Sequence, residues 1–103
     1  MTGAVTPIVV VARWQVSVDH VGDVLAHVAE LRERSLAEPG CLGYEVFSAI
    51  DAPASVLLLE RYRDGAALES HRQSAHYQAL VVERILPLLA GRQVDILQPH
   101  DAG

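Results

Sequence analysis

Between Glu60 and Tyr77 the chain gathers Glu60, Tyr62, His71, His76 and Tyr77, residue types from which acid–base chemistry is assembled. His71 shares a helical face with Ala67 and Leu68, so its ring points to the apolar side of its helix. A ring taken out of water needs a hydrogen-bond partner for at least one nitrogen. Glu60 is the expected partner. It shares a strand face with Leu58 and Tyr62, and a glutamate following Leu57-Leu58-Leu59 needs pairing of its own. Glu60 and His71 then form either an oriented general base or a polar pair that pins helix to sheet, and the residues alone leave both readings open.

Trp14, Tyr44 and Tyr62 are candidates to line a pocket for a flat aromatic ligand, or to serve as core aromatics with a wet tip. Arg13, in a strand interior, offers an anchor for an anionic substrate oxygen, or an ion pair with Glu45 or Glu60. His76 and Tyr77 open a helix, where free backbone donors suit a bound oxyanion; exposure at a helix start is the competing expectation for His76. His20, His27 and His100 read as surface residues.

No metal is expected. His20 and His27 share a helix face but stand roughly 10 Å apart along the axis. His71 and His76 straddle a predicted helix break, and Cys41 is the single cysteine. The chain carries no glycine-rich phosphate loop, no nucleophile elbow and no dinucleotide fingerprint. An enzyme built on it is expected to work without metal or nucleotide cofactor.

The elements that must position these residues follow from the hydrophobic period. Ile8 to Val16 is a β-branched run that predicts a strand, with Val10, Ala12, Trp14 and Val16 on one face. Both of its faces are largely apolar, which predicts a sheet covered on both sides. Asp19 is placed to cap a helix in which Val21, Val24, Leu25, Val28 and Leu31 recur at helical spacing. Glu38-Pro39-Gly40 stops that helix, with Gly40 free to take a positive φ. Cys41 to Ala49 and Val56 to Tyr62 predict a hairpin, with Leu42, Tyr44 and Val46 on one face of its first strand. Asp64-Gly65 opens a short helix, and Ser74 caps a longer one running to about Leu89, with Pro87 expected to kink or end it. Gly91 then terminates that helix before a last strand, Val94 to Leu97. The order β-α-β-β-α-β is the split βαβ, or ferredoxin-like, α+β arrangement with an antiparallel sheet.

At 103 residues the chain is expected to be one domain, residues 1–103 with a core of about 8–99. Half of the residues are hydrophobic, so a second subunit is expected to cover part of the apolar surface. The net charge is −5, and all eight basic residues are arginines scattered among acids, which excludes a stripe that could follow a nucleic-acid backbone. No apolar run approaches the ~20 residues that span a bilayer. The N-terminus lacks the features of a signal peptide, and the expected location is cytoplasmic.

From about Ile8 to Pro99 the sequence resembles the antibiotic biosynthesis monooxygenase domain family of small dimeric α+β barrel proteins. The resemblance rests on Ile8-Val9-Val10-Val11-Ala12, Glu38-Pro39-Gly40-Cys41-Leu42-Gly43-Tyr44-Glu45-Val46, Glu60-Arg61-Tyr62-Arg63-Asp64, Ala67-Leu68-Glu69-Ser70-His71 and Ser74-Ala75-His76-Tyr77. It implies a ferredoxin-like fold whose sheet face and C-terminal elements pair with a second copy. Among the family's activities are cofactor-independent oxygenation of quinols and phenols, haem degradation, and isomerisation of a phosphorylated signalling sugar derivative. Tyr62 stands where many members have tryptophan. The haem-degrading branch fits poorly, because His71 replaces its helix tryptophan, its iron-ligand histidine falls near Val81, and the chain has no asparagine. The expected reaction is oxidation of a small quinol or phenol by O₂ as co-substrate, with His71 as base, Glu60 as its orienting partner, and Trp14, Tyr44 and Tyr62 as pocket. An oxygen-independent isomerase using the same base, and a binding or stress-response dimer without turnover, are the alternatives.

Overall fold

Strand β1, Ile8–Val16, sets the two faces of the sheet. In the computed structural model, which describes residues 6–100, Val10, Ala12, Trp14 and Val16 are buried on one face. Val9 and Val11 are only half-buried on the other, and Arg13 and Gln15 are exposed there. The protein is an α+β fold with a four-stranded antiparallel sheet in the order β2-β3-β1-β4. Strands β2, Cys41–Ser48, and β3, Ser55–Tyr62, form the predicted hairpin, and β3 pairs along the whole of β1 from Ile8 opposite Tyr62 to Gln15 opposite Ser55.

Helix α1, Val21–Leu36, packs on the inner face through Val24, Val28 and Leu31. Leu25, predicted to share that stripe, lies at its exposed margin. Asp19 does not cap α1: it sits in a one-turn 3₁₀ segment, Val18–His20, and His20 takes the cap position without a side-chain bond. Arg32 ties α1 to β2 by donating from Nε to the Tyr44 carbonyl at 2.7 Å. In β2 a register shift between Cys41 and Gly43 turns Leu42 outward, so the predicted Leu42-Tyr44-Val46 face loses its first member.

The second half departs further from the predicted pattern. Helix α2, Gly65–Arg72, ends in a turn and is followed by a π-helix, Tyr77–Ile85, and a 3₁₀ turn, Leu86–Leu88, that contains Pro87. The i→i+5 bonds of a π-helix widen the turn, and such segments occur mostly as single-turn bulges at functional sites. Leu80, Val81 and Ile85 of this segment are buried in the core. The chain is already extended at Leu89: β4 runs Leu89–Leu97, so Gly91 lies within a strand instead of ending a helix. Strand β4 pairs antiparallel with β1, Ala12 opposite Val94 and Trp14 opposite Arg92, and thereby delivers Arg92 and Val94 to the inner face.

The inner face carries the core, centred on Trp14, Leu31, Tyr44, Leu58 and Ile85, with a smaller cluster of Val10, Tyr62, Ala67 and Leu68 beneath α2. Among the described residues no helix packs on the outer face. Among the described residues no helix is long and apolar enough to cross a membrane.

Candidate functional site

Helix α2 is short but firmly started, because Asp64 accepts a hydrogen bond from the Ala67 N–H at 2.8 Å. Its buried face is Ala67, Leu68 and His71. His71 is 2% exposed. Its Nδ1 lies 2.8 Å from Glu38 Oε2, while its Nε2 is 3.7 Å from Glu60 Oε1. The hydrogen-bond partner of His71 is therefore Glu38, and Glu60 approaches the other nitrogen without bonding to it.

Glu38 reaches His71 because the turn after α1 docks tightly on α2. A Cβ at Gly40 would collide with Ala67 Cβ, and the Gly40 carbonyl accepts from the Arg63 N–H at 2.8 Å. No glycine among the described residues has a positive φ, so Gly40 is required by close approach and not by left-handed backbone.

The break between α2 and the π-helix completes the group. Ser74 Oγ donates to the His71 carbonyl at 2.7 Å and accepts from the Tyr77 N–H at 3.1 Å, which folds the chain back on itself. His76, for which the sequence left open a substrate contact or exposure at a helix start, is mostly covered, and its Nε2 lies 2.5 Å from the same Glu38 Oε2. A carboxylate only accepts, so the protons sit on His71 Nδ1 and His76 Nε2. In the neutral ring of His71 this leaves Nε2 with its lone pair. Glu38, His71 and His76 each bring one ligand-type atom within 4.8 Å of the others. The helix break, which in the sequence separated the two histidines, is what brings them together.

Three tyrosines enclose His71. The ring centroids of Tyr62 and Tyr77 are each 5.2 Å from that of His71, Tyr77 in an edge contact, and Tyr44 is at 6.3 Å. Tyr62 Oη donates to Glu60 Oε1 at 2.6 Å. Burial pushes the Glu60 carboxyl up to about 7, although the Tyr62 bond and the Arg72 charge hold it down. Burial also raises the Tyr44 and Tyr62 phenols well above their ordinary value, with Glu60 adding to both. His71 is lowered by burial, against the opposing pull of its bond to Glu38.

These groups meet at a cavity of about 380 Å³ between the inner face of the sheet and the helices. Trp14, Tyr44, Glu60, His71 and Tyr77 line it, together with Arg72, Arg92 and an apolar wall of Val10, Ala12, Leu68, Val81 and Val94. Of the predicted pocket residues, Tyr62 stands behind the cavity, holding Glu60. His76 lies on the outer side of Glu38, against a separate surface hollow. Arg13 is on the opposite face of the sheet, where it pairs with Asp95 at 3.1 Å and not with Glu45 or Glu60; Glu45 is taken by Arg61 at 3.2 Å. The strand alternation that buries Trp14 sends Arg13 outward.

Sequence reasoning missed Glu38 and Arg92. Glu38 was legible only as part of a helix stop, and Arg92 enters because β4 begins earlier than predicted.

A family model of antibiotic biosynthesis monooxygenases matches residues 7–83. Among curated relatives, Putative monooxygenase Rv0793 of Mycobacterium tuberculosis is 33% identical over 72 residues, 70% of each chain. Putative monooxygenase YcnE of Bacillus subtilis is 30% identical over 61 residues, 59% of this chain and 64% of its own length. The solved structure of Rv0793 superimposes with a TM-score of 0.87 at 31% identity, covering 93% of this chain and 97% of that one. By sequence and by fold, this chain belongs to the antibiotic biosynthesis monooxygenase family.

Proposed function

We propose that this protein is a cofactor-independent monooxygenase that oxidises a small phenol or quinol with O₂, acting as a cytoplasmic homodimer. The observation that carries the reading is the setting of His71. Its Nδ1 is tied to Glu38, and its Nε2 faces Glu60 beside an aromatic-walled cavity of about 380 Å³, a size that suits a small ring system. The naming of two relatives as putative monooxygenases supports the reaction class.

In this reading His71 Nε2 takes the phenolic proton, and Arg72 and Arg92 stabilise the phenolate that results. One electron passes from the phenolate to O₂, and the aryloxyl radical and superoxide combine at a ring carbon that bears hydrogen. The peroxy anion so formed recovers the proton from His71. Loss of the hydrogen on that carbon together with hydroxide, as water, leaves a quinone. One oxygen atom stays on the product and one leaves in water, and the substrate itself supplies the electrons. Glu60, titrating near neutrality at 3.7 Å from His71 Nε2, suits a store for the travelling proton.

The outer face of the sheet supports the homodimer. Val9, Val11, Leu57 and Leu59 are half-buried there and Phe47 is exposed, rimmed by the pairs Arg13–Asp95 and Arg61–Glu45. An apolar field with a charged rim suits a second copy of the same face, and the exposed Leu97 of β4, opposite Val9, extends it. The free thiol of Cys41 suits a reducing compartment.

Oxygen uptake against a panel of quinols and phenols tests the reading, with one O₂ consumed per quinone formed and His71→Ala slower by about 10²- to 10⁴-fold. Uptake unchanged in a folded His71→Ala protein overturns it. So does equal turnover under strict anaerobiosis, which would identify an isomerase.

A further inference from the structure

We propose that Glu38, His71 and His76 form a binding site for a zinc-class divalent cation, and that the bound cation switches His71 off as a base. Two histidines and one carboxylate are an established donor set for zinc and for other first-row divalent metals. One donor atom from each residue lies within 4.8 Å of the other two, and both histidines already converge on a single carboxylate oxygen. Donors bound at about 2.1 Å in a tetrahedral site stand about 3.4 Å apart, so moves of about 1 Å by the side chains convert the hydrogen-bonded group into a ligand set. The protons now shared with Glu38 are the ones a metal displaces.

Two further features fit a cation here. The side chains of Glu38 and His76 are 16% and 18% exposed, which gives the ion a path from solvent, whereas His71 is 2% exposed and held in place. A metal-bound histidine characteristically donates its other N–H to a carboxylate. Glu60 Oε1, 3.7 Å from His71 Nε2, stands where that carboxylate belongs. Three protein ligands leave a fourth position for water or a small anion.

The consequence follows from the tautomer. With Glu38 accepting from Nδ1–H, Nε2 carries the lone pair; with a cation on Nδ1, the proton of the neutral ring sits on Nε2. The ring then presents a donor to the cavity in place of a base. The cation is thus an inhibitor of proton abstraction and not a cofactor. Binding stands on the three residues alone, while inhibition rests on the oxygenase reading given above.

The test begins on chelator-treated protein, without substrate. Titration with Co²⁺ is expected to give a visible d–d band saturating at one ion per chain, bleached by Zn²⁺. Glu38→Gln and His76→Ala are expected to weaken Co²⁺ binding at least tenfold, and His27→Ala to leave it unchanged. In wild-type protein, imidazole nitrogen NMR is expected to show the His71 proton moving from Nδ1 to Nε2 as Zn²⁺ is added, a readout that needs no variant to fold. Absence of a stoichiometric site, binding that survives both substitutions, or a His71 tautomer indifferent to Zn²⁺ overturns the cation site. If the site binds and the protein consumes oxygen with a quinol, Zn²⁺ is expected to suppress uptake with the same saturation; uptake indifferent to bound Zn²⁺ overturns the switch. A protein that binds Zn²⁺ but oxidises no quinol removes the oxygenase reading and leaves the cation site standing.

Discussion

Glu38 Oε2 lies 2.8 Å from His71 Nδ1 across a separation of 33 positions, and this bond fixes which nitrogen of His71 carries the proton. The pair joins the turn after α1 to the end of α2. It makes an orienting carboxylate out of a residue whose local role is to end a helix.

Replacing Glu38 by Gln keeps the shape of the side chain but removes its charge and lets its amide donate as readily as accept. Turnover is expected to fall by about 10²-fold, the scale of a misplaced catalytic group. The bond to Glu38 holds the His71 pKa up against burial, so its loss moves that pKa further below the ordinary histidine value. The acid limb of the rate profile, measured in the presence of chelator, is therefore expected to shift to lower pH while the plateau drops. A lower plateau with an unmoved limb would mean that Glu38 only supports the fold.

Gly40 gives a second handle on the same bond. A methyl group there meets Ala67 Cβ, and the overlap is expected to destabilise Gly40→Ala by about 1–3 kcal/mol in denaturant unfolding. The turn that carries Glu38 must then lift off α2, so activity should fall more than stability alone explains. Ala67→Gly by itself costs about 1 kcal/mol in the helix, yet combined with Gly40→Ala it is expected to restore part of both losses. Strict additivity of the two substitutions would show that the contact is not what holds the turn.

The succession of strands and helices, the hairpin and the apolar face of α2 were legible because each is written in a local period: alternation through Val10, Ala12 and Trp14, and helical spacing of Ala67, Leu68 and His71. The same alternation, read strictly, also sends Arg13 away from the site. What was not legible depends on contacts between distant segments. Glu38 is a polar residue before Pro39, with nothing nearby to mark it as a partner of two histidines. The π-helix hides for a related reason, since a sequence stripe sampled at the α-helical period cannot reveal that the backbone has changed its hydrogen-bond step between Tyr77 and Ile85.

The outer face of the sheet makes its own prediction. Leu59 lies opposite Glu45 in the β2–β3 register, on the face proposed to meet a second copy. Leu59→Glu sets like charges across the strands and puts a carboxylate into the centre of that face. Light scattering is expected to show a dimer for the wild type and a monomer for the variant. A dimer of undiminished affinity in Leu59→Glu would place the interface elsewhere.

Glu60 predicts how stability depends on pH. Its folded pKa, raised to about 7 by burial, lies above the unfolded value near 4.5, so the native state holds the extra proton between those two values. A group raised in this way contributes fully below the lower pKa, and its contribution is lost as pH rises through about 7. The wild type is accordingly expected to lose stability from Glu60 between pH 5 and 8, by an amount on the order of 3 kcal/mol at most. Glu60→Gln still accepts from Tyr62 Oη, the bond seen at 2.6 Å, but has no proton to lose. Its unfolding free energy is expected to vary less over that range and to exceed that of the wild type at pH 8. The measurement is a pair of denaturant titrations at pH 5 and pH 8 on each protein. If the two proteins lose stability in parallel, the neutral carboxyl beside His71 is not the form that the fold prefers, and its place in the proton path fails with it.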